Sequence, residues 1–319
     1  MISTLLVVLP IFALIFLGWM ARRANMLGAN ATTEINRFVV NLALPALLFD
    51  ILAHARWSDI WQPGFILAFG LGSLAVFGLT IAIRLRQKVH LADAVVDGLN
   101  AGYANTGFMG FPLALAVLGP AALAPTSIAT ILTVCVIFAF GIILIEAGLQ
   151  TEARRSHLVL KVAGALIRNP LLIAPAAGAL VLLAGLSVPA PVETIFKLLG
   201  GAASPCALVA LGLFLAEKRK GREEGAGTGA RTGAVTISLL VGFKLILQPL
   251  VTWLLASFVF HLPPPLIHVA VLIAALPTGT GSFMLAEFYR REASVTSRVI
   301  LISTILSILT VSAYIAIAV

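Results

Sequence analysis

Residues Gly102 to Pro112 read GYANTGFMGFP, which places three glycines, a proline and the polar pair Asn105-Thr106 inside a segment apolar enough to span a bilayer. Glycine costs roughly 1 kcal/mol and proline roughly 3 kcal/mol relative to alanine in a helix interior. We therefore expect the backbone to open between Asn105 and Pro112, which frees N–H and C=O groups. In hydrocarbon those groups must find partners inside the protein.

A second segment near the other end of the chain repeats this design. Residues Ala275 to Phe283 read ALPTGTGSF, with one proline, two glycines and three hydroxyl side chains. An offset of 172 residues matches Gly107 with Gly279. Interrupted helices in corresponding places of two halves are typical of a transporter's substrate site. The alternative is a pair of kinked helices at packing interfaces, where small residues are also common.

The composition is that of a membrane protein. Of the 319 residues, 60% are hydrophobic and 11% are charged, and the mean hydropathy is +1.08. The apolar runs predict about ten spans, each close to or beyond the roughly 20 residues that a bilayer demands. These runs are 2–20, 34–53, 62–83, 93–119, 122–149, 161–185, 191–216, 233–260, 265–289 and 294–317.

The basic residues are unevenly distributed among the connections. The odd-numbered connections and their margins carry 18 of the 21 Lys and Arg residues. The positive-inside rule then places these connections in the cytoplasm and both termini outside the inner (cytoplasmic) membrane. This distribution accounts for the net charge of +8 without a nucleic-acid partner. The first apolar run lacks the basic start of a signal peptide and is interpreted as a span.

Proline spacing indicates an internal repeat. Pro45 and Pro205 are 160 residues apart, within similar sequences of spans two and seven. We interpret 1–150 and 161–319 as two repeats of five spans, with chance matching of prolines as the alternative. Because five is odd, the second repeat enters the membrane from the opposite side. The predicted fold is an all-α membrane protein with ten transmembrane helices in two inverted repeats, and with broken, crossing helices in spans 4 and 9.

The broken helices are expected to present N-terminal ends near the middle of the membrane. Free N–H groups and the positive end of the helix dipole favour a carboxylate there. Asn41 and Ser204 either face the same cavity or bond backbone carbonyls nearby. The candidate substrate-binding residues of the two segments are Asn105, Thr106, Gly107, Pro277, Thr278, Gly279, Thr280 and Ser282.

Charged residues inside spans are functional candidates because burying a charge in lipid is costly. Lys244 lies midway along span eight and is either the countercharge of a bound anion or a structural cation that satisfies freed carbonyls. Glu287 is the acidic residue that best fits coupling to a proton or cation. Cys135 and Cys206 lie inside spans as packing residues, and no metal-ligand spacing or cofactor motif is present.

Several motifs together resemble the auxin efflux carrier family, whose bacterial members include malonate and other organic-acid permeases. The resemblance covers essentially the whole chain. The motifs are Asn41-Leu-Ala-Leu-Pro45, Asn105-Thr-Gly-Phe-Met-Gly-Phe-Pro112, Arg168-Asn169-Pro170, Lys244 with Pro249, and Pro277-Thr-Gly-Thr-Gly. This resemblance implies a substrate role for Asn105 and, more loosely, for Asn41 and the segment from Pro277 to Ser282.

The same resemblance implies a fold similar to that of bile-acid symporters and sodium/proton antiporters. Spans 1, 2, 6 and 7 would form a scaffold, and spans 3–5 and 8–10 a moving core. The chain lacks the long central loop of many plant carriers, which favours a small carboxylate over auxin as the substrate.

Three functions are therefore considered. The leading hypothesis is a secondary transporter of small organic anions, malonate-like carboxylates above all, that works by alternating access with a proton or sodium ion as the coupling ion. The alternatives are a sodium-coupled symporter of bile-acid-like carboxylates and a non-transporting membrane receptor. An enzyme is not expected, because clustered carboxylates, metal-ligand spacing and Ser-His pairs at one depth are absent from the sequence. A homodimer is compatible with each of these functions.

Overall fold

The computed structural model describes residues 2–55, 61–149, 168–216 and 228–318, and these residues are almost entirely helical, without strands. The helices are α1 (Ile2–Arg23), α2 (Ala31–Ala53), α3 (Pro63–Arg86), α4 (Leu91–Gly102), α5 (106–118), α6 (Pro120–Leu149), α7 (Pro170–Leu183), α8 (Ala190–Ala216), α9 (228–259), α10 (Pro264–Ala274), α11 (Thr280–Phe288) and α12 (Ala293–Ala318). Six of these helices, namely α2, α3, α6, α8, α9 and α12, are long and apolar enough to cross a bilayer. The prediction of an all-α membrane protein is confirmed.

Some basic residues on which the predicted topology rests lie outside the residues that the structure describes. The basic residues Arg56, Arg154, Arg155, Lys161, Lys218, Arg219, Lys220 and Arg222 lie outside the described residues.

Proline and asparagine mark where helices begin. Asn169 precedes α7, and its side-chain oxygen accepts a hydrogen bond from the Leu171 N–H at 3.0 Å. Pro170 is the first residue of that helix, where its missing N–H costs nothing. Pro63 begins α3 in the same way. Proline in the first turn therefore marks the start of both helices.

The helices α1, α2, α7 and α8 pack against one another, and glycine allows the closest approach among them. A Cβ at Gly212 of α8 would lie 1.9 Å from the Ile15 carbonyl oxygen of α1. Reciprocally, a Cβ at Gly18 of α1 would lie 2.2 Å from the Val209 carbonyl oxygen. Small residues let membrane helices pack backbone to backbone in this way.

The remaining helices form a second group, which charged side chains join at one end. The Arg84 guanidinium of α3 donates to the Asp97 carboxylate of α4 at 2.7 Å. Arg291, in the turn between α11 and α12, reaches Asp93 of α4 at 3.1 Å. These ion pairs join α4 to α3 and to the turn between α11 and α12.

The same turn carries a half-buried phenol. Tyr289 donates a hydrogen bond from its hydroxyl to the Glu146 carboxylate of α6 at 2.7 Å. Burial, and then this hydrogen bond, raise the pKa of the Tyr289 phenol, so the phenol stays protonated and remains a donor.

The first helix interruption is shorter than the sequence predicted. We expected an open backbone from Asn105 to Pro112, but the chain is non-helical only from Tyr103 to Asn105 and turns helical again at Thr106. Pro112 is the second residue of the α-helical part of α5, where proline's missing N–H is tolerated. The glycines are instead accommodated by one wide π-helical turn, Thr106–Gly110.

Candidate functional site

The two helix interruptions lie against each other. The Asn105 N–H donates to the Pro277 carbonyl at 2.9 Å, and the Gly279 N–H donates to the Tyr103 carbonyl at 2.9 Å. The segments 103–105 and 275–279 therefore run antiparallel as a minimal β-bridge, which we call the crossover. Proline has no N–H, so Pro277 can accept a hydrogen bond but cannot return one.

The C-terminal end of α4 is capped by side chains from other helices. Gln248 of α9 donates from Nε2 to the Gly102 carbonyl at 3.1 Å and to the Ser73 hydroxyl at 2.9 Å. The Thr278 hydroxyl, from the second interruption, donates to the Asn100 carbonyl at 2.7 Å. These bonds satisfy carbonyls that would otherwise be left orphaned at the end of a helix.

The C-terminal end of α10 is capped by a lysine. The Lys244 side chain of α9 is completely buried and donates from Nζ to the Ala274 carbonyl at 2.7 Å. Ala274 is the last residue of α10. A cation at this position also interacts favourably with the negative end of the helix dipole.

The N-terminal ends of α5 and α11 face a small pocket at the crossover. Asn105, Thr106 and Gly107 line it from the first interruption, and Thr280 and Gly281 line it from the second. The first N–H groups of any helix have no partner within that helix. The crossover pocket therefore brings two helix N-terminal ends to one place, where the Thr106 N–H already donates to the Ala104 carbonyl at 2.8 Å.

Two polar side chains of this pocket are available to a ligand. The Thr106 hydroxyl is buried and has no hydrogen-bond partner among the described residues. Asn105 is 6% exposed, and its side chain makes no hydrogen bond with another described residue. A buried polar group without a partner costs about 1–3 kcal/mol, which a bound ligand can recover.

The other wall of the pocket belongs to the first helix group. Leu44 and Leu47 of α2, and Ala203 and Ser204 of α8, line it opposite the crossover. The pocket thus lies between the two groups of helices. No carboxylate is among its described lining residues.

The chain matches a known family over nearly its whole length. A family model described as "Membrane transport protein" matches residues 4–315. The chain belongs to this family. The auxin efflux carrier family that the motifs indicated is thereby confirmed, and the protein is a multi-pass member of a membrane transporter family.

Several curated relatives are similar in sequence. A protein named "Putative malonate transporter" from Rhizobium meliloti (strain 1021) is 31% identical over 306 residues, 96% of this chain and 92% of the relative. "Uncharacterized transporter YfdV" from Escherichia coli (strain K12) is 27% identical, over 88% of this chain and 86% of its own. "Lysosomal cholesterol signaling protein" from Mus musculus is 23% identical over 94% of this chain, which covers 36% of that protein.

The candidate residues of the second interruption mostly build the crossover itself. The Thr278 N–H donates to the Ser303 hydroxyl of α12 at 3.2 Å, and the Ser282 hydroxyl donates to the Gly279 carbonyl at 2.9 Å. Of that segment, the crossover leaves Thr280 and the neighbouring Gly281 on the pocket wall.

Three other candidates fall in different places. Ser204 lines the crossover pocket, as one of its two interpretations required. Asn41 is exposed and donates to the Arg37 carbonyl of its own helix at 2.8 Å, which matches the other interpretation. Glu287 is half-buried near the last residue of α11 and is not among the pocket's lining residues.

Tyr103 was missed by sequence reasoning. A Cβ at Gly281 would lie 2.5 Å from the Tyr103 hydroxyl, and a Cβ at Gly279 would lie 2.6 Å from the ring. Tyr103 therefore covers the N-terminal end of α11 and requires glycine beneath it. By contrast, no atom lies within 4 Å of a Cβ built on Gly107.

Gln248 was also missed as part of the crossover. A signal was present, because Gln248 follows Lys244 by four residues in an apolar span, so both project from one face of a helix. The identity of the carbonyls that they cap depends on the tertiary fold.

A larger cavity adjoins the crossover pocket along the same helices. It has a volume of about 530 Å³ and is lined by residues that include Ile51, Phe111 and Thr130. Ile51 and Phe111 each follow a lining residue of the crossover pocket by four residues, which is about one helical turn. The cavity therefore lies about one helical turn from the crossover pocket.

Proposed function

We propose that this protein is a secondary transporter of small organic anions, with malonate-like dicarboxylates as its substrates, in the inner membrane. The observation that carries the proposal is the crossover pocket, where Asn105 and the unpaired Thr106 hydroxyl meet two helix N-terminal ends. Each N-terminal end carries roughly +0.5 elementary charge, and its free N–H groups suit carboxylate oxygens.

The chemistry of the pocket favours an anion over a cation. Its described lining residues combine hydroxyl, amide and backbone donors with apolar side chains, and they include no carboxylate. The name of the Rhizobium meliloti relative, "Putative malonate transporter", supports the same substrate class. We propose Asn105, Thr106, Gly107, Thr280 and Ser204 as the residues that contact the substrate.

The position of the pocket between two helix groups supports alternating access. In the proposed mechanism α1, α2, α7 and α8 are a fixed scaffold, and the other helices carry the crossover past it. A hydrogen bond from the Asn36 amide of α2 to the Met284 carbonyl of α11, at 3.3 Å, joins the two groups and must break during this movement. We further propose that the chain has ten spans, arranged as the two inverted repeats 1–150 and 161–319. Both termini then lie outside.

Uptake into proteoliposomes tests the transport function. Purified protein should accumulate labelled malonate above protein-free vesicles, and excess unlabelled malonate should abolish the signal. Imposing a proton gradient or a sodium gradient separately identifies the coupling ion, and the proposed coupling role of Glu287 is tested by the variant Glu287→Gln. Absence of both uptake and counterflow across a range of mono- and dicarboxylates would refute the proposal.

A receptor is the second candidate, and one observation favours it. The mouse relative is named a signaling protein rather than a transporter. A pocket that binds a ligand does not by itself prove transport. Saturable malonate binding to purified protein without counterflow would indicate the receptor.

A further inference from the structure

Tyr103 places a phenol at the N-terminal end of α11. A Cβ built on Gly279 would be 2.6 Å from its ring, and one built on Gly281 would be 2.5 Å from its hydroxyl. The ring also packs against Phe138 of α6, with 5.7 Å between the two ring centroids. These contacts hold the ring in place, and its hydroxyl lies beside Gly281, the second residue of α11.

The Tyr103 hydroxyl has no partner within the described part of the chain. Tyr103 is only 5% exposed, yet its side chain makes no hydrogen bond with another described residue. A buried tyrosine hydroxyl usually has a hydrogen-bond partner. Because Tyr103 lines the crossover pocket, a ligand in that pocket can supply the partner.

The Thr280 hydroxyl is in the same situation. Thr280 is the first residue of α11, is 7% exposed and lines the crossover pocket. Its side chain forms no hydrogen bond to any other residue that the structure describes. Two free hydroxyls therefore stand at the start of α11, where the first N–H groups have no partner within the helix and the helix dipole is positive.

The N-terminal end of α5 carries a similar pair of side chains, Asn105 and Thr106, which line the same pocket. Tyr103 and Asn105 are two residues apart in the non-helical segment 103–105. Residues at this spacing in an extended chain project to the same side, about 6–7 Å apart along the backbone. One short molecule can therefore reach the polar groups at both helix ends.

We propose that the crossover pocket contains two carboxylate half-sites, one at each helix end, so that its substrate is a short dicarboxylate bound at both. Asn105 and Thr106 form the half-site at α5, and Tyr103 and Thr280 form the half-site at α11. Tyr103 is then a specificity-determining residue, because its hydroxyl contacts the second carboxylate, which a monocarboxylate lacks. This inference rests on the proposed function and adds to it the residues that distinguish a dicarboxylate from a monocarboxylate.

The test compares two ligands that differ in one carboxylate. Malonate is used with propionate, in which a methyl group replaces one carboxylate, on the full-length protein in detergent. The Kd of malonate is measured directly, and that of propionate by competition with labelled malonate. The wild-type protein should bind malonate at least about tenfold more tightly, because only malonate fills both half-sites.

Tyr103→Phe removes the hydroxyl and keeps the ring over α11. The hydroxyl has no protein partner among the described residues, so the melting temperature without ligand should stay the same or rise. The malonate Kd should rise about tenfold, as expected for the loss of one hydrogen bond to a charged group. The propionate Kd should rise by no more than about twofold, because a monocarboxylate can use the other half-site. A purely structural role would leave the ratio of the two Kd values unchanged.

Two further variants complete the test. Tyr314→Phe is the matched control, because it makes the same change outside the pocket lining, at a hydroxyl 3.1 Å from the His268 Nδ1 atom. Its malonate Kd should stay within about twofold of wild type. Thr280→Val removes the other hydroxyl of the α11 half-site and should repeat the pattern of Tyr103→Phe, so the proposal can be tested even if that variant does not fold.

Three results would overturn the inference. The first is a wild-type protein that binds malonate and propionate equally well. The second is wild-type malonate affinity in folded Tyr103→Phe or Thr280→Val protein. The third is an equal loss of affinity for malonate and propionate in these variants, which would assign all the polar groups to one shared carboxylate. A wild-type protein that binds no mono- or dicarboxylate would refute the proposed function itself, and this inference with it.

Discussion

Thr106 in the first helix interruption and Thr278 in the second correspond when the chain is shifted by 172 residues. Their environments differ. The Thr278 hydroxyl donates to the Asn100 carbonyl and caps α4, whereas the Thr106 hydroxyl has no partner among the described residues. Gly107 and Gly279 correspond in the same way, and only Gly279 is covered by Tyr103. The second interruption therefore builds the frame of the crossover, while the first leaves its polar groups open to a ligand.

The physical origin of this difference lies partly in one proline. Under the same shift Asn105 corresponds to Pro277, and Asn105 donates its N–H to the Pro277 carbonyl. Pro277 has no N–H to return, so a symmetric pair of hydrogen bonds is not available. Similar sequences can therefore meet in a membrane and take different roles.

The largest expected effect comes from filling the covered side of the crossover. Gly279→Ala would place a Cβ 2.6 Å from the ring of Tyr103, which is itself buried, and 3.1 Å from the Ala104 carbonyl oxygen. Overpacking of this kind costs about 1–3 kcal/mol. We expect a lower melting temperature in a thermal-shift assay and a loss of malonate uptake. An unchanged melting temperature would contradict the conclusion that the second interruption builds the frame of the crossover.

The next largest effects are expected for the two corresponding threonines, Thr278 and Thr106, whose valine variants form a matched pair. Thr278→Val leaves the Asn100 carbonyl without its cap and should reduce stability by about 1–3 kcal/mol. Thr106→Val removes a buried hydroxyl without a protein partner, so stability in the absence of malonate should stay the same or rise by up to about 1–3 kcal/mol, while the malonate Kd rises about tenfold. Thermal melting and isothermal titration separate the two outcomes. Equal loss of stability in both variants would contradict the proposed division of roles.

A smaller effect is expected on the open side. Gly107→Ala adds a methyl group where no atom lies within 4 Å, so the fold should tolerate it. The methyl group would occupy part of the pocket, and the malonate Kd should rise about fivefold, or about 1 kcal/mol. Gly279→Ala is the matched control, since it adds the same group at the corresponding position of the covered side, outside the pocket lining. Wild-type affinity in Gly107→Ala would place the ligand elsewhere.

The smallest effect is expected at Asn41. Its side chain is exposed and donates to the Arg37 carbonyl of its own helix. Asn41→Ala should therefore leave malonate uptake within about twofold of wild type, as most exposed substitutions do. A tenfold loss of uptake would restore Asn41 to the substrate site and would favour the interpretation in which it faces the cavity.

The sequence predicted the two interruptions well, because glycine and proline act locally. The helical segments of the structure follow the apolar runs closely, as α8 (Ala190–Ala216) does for the run 191–216. The predicted extent of the first helix interruption was wrong, because Pro112 lies at the start of a helix, where it does not break the helix. Whether a proline interrupts a helix depends on its distance from the start of that helix and not on its presence alone.

Long-range contacts were beyond sequence reasoning. Tyr103 lies against Gly281, and Gln248 bonds to Gly102, across separations of more than a hundred residues. No local propensity contains such pairings. The two interpretations of Lys244, substrate countercharge or structural cation, were equally compatible with its position in a span, and the hydrogen bond to the Ala274 carbonyl supports the second.

The sequence by itself determined that this chain is helical, apolar and interrupted in two places, because hydropathy and the cost of glycine and proline in a helix depend on neighbouring residues alone. Only the tertiary structure decided which interruption is covered and which is open. Each freed backbone group in a membrane takes whatever donor or acceptor the fold brings within about 3 Å, and that partner belongs to a distant helix.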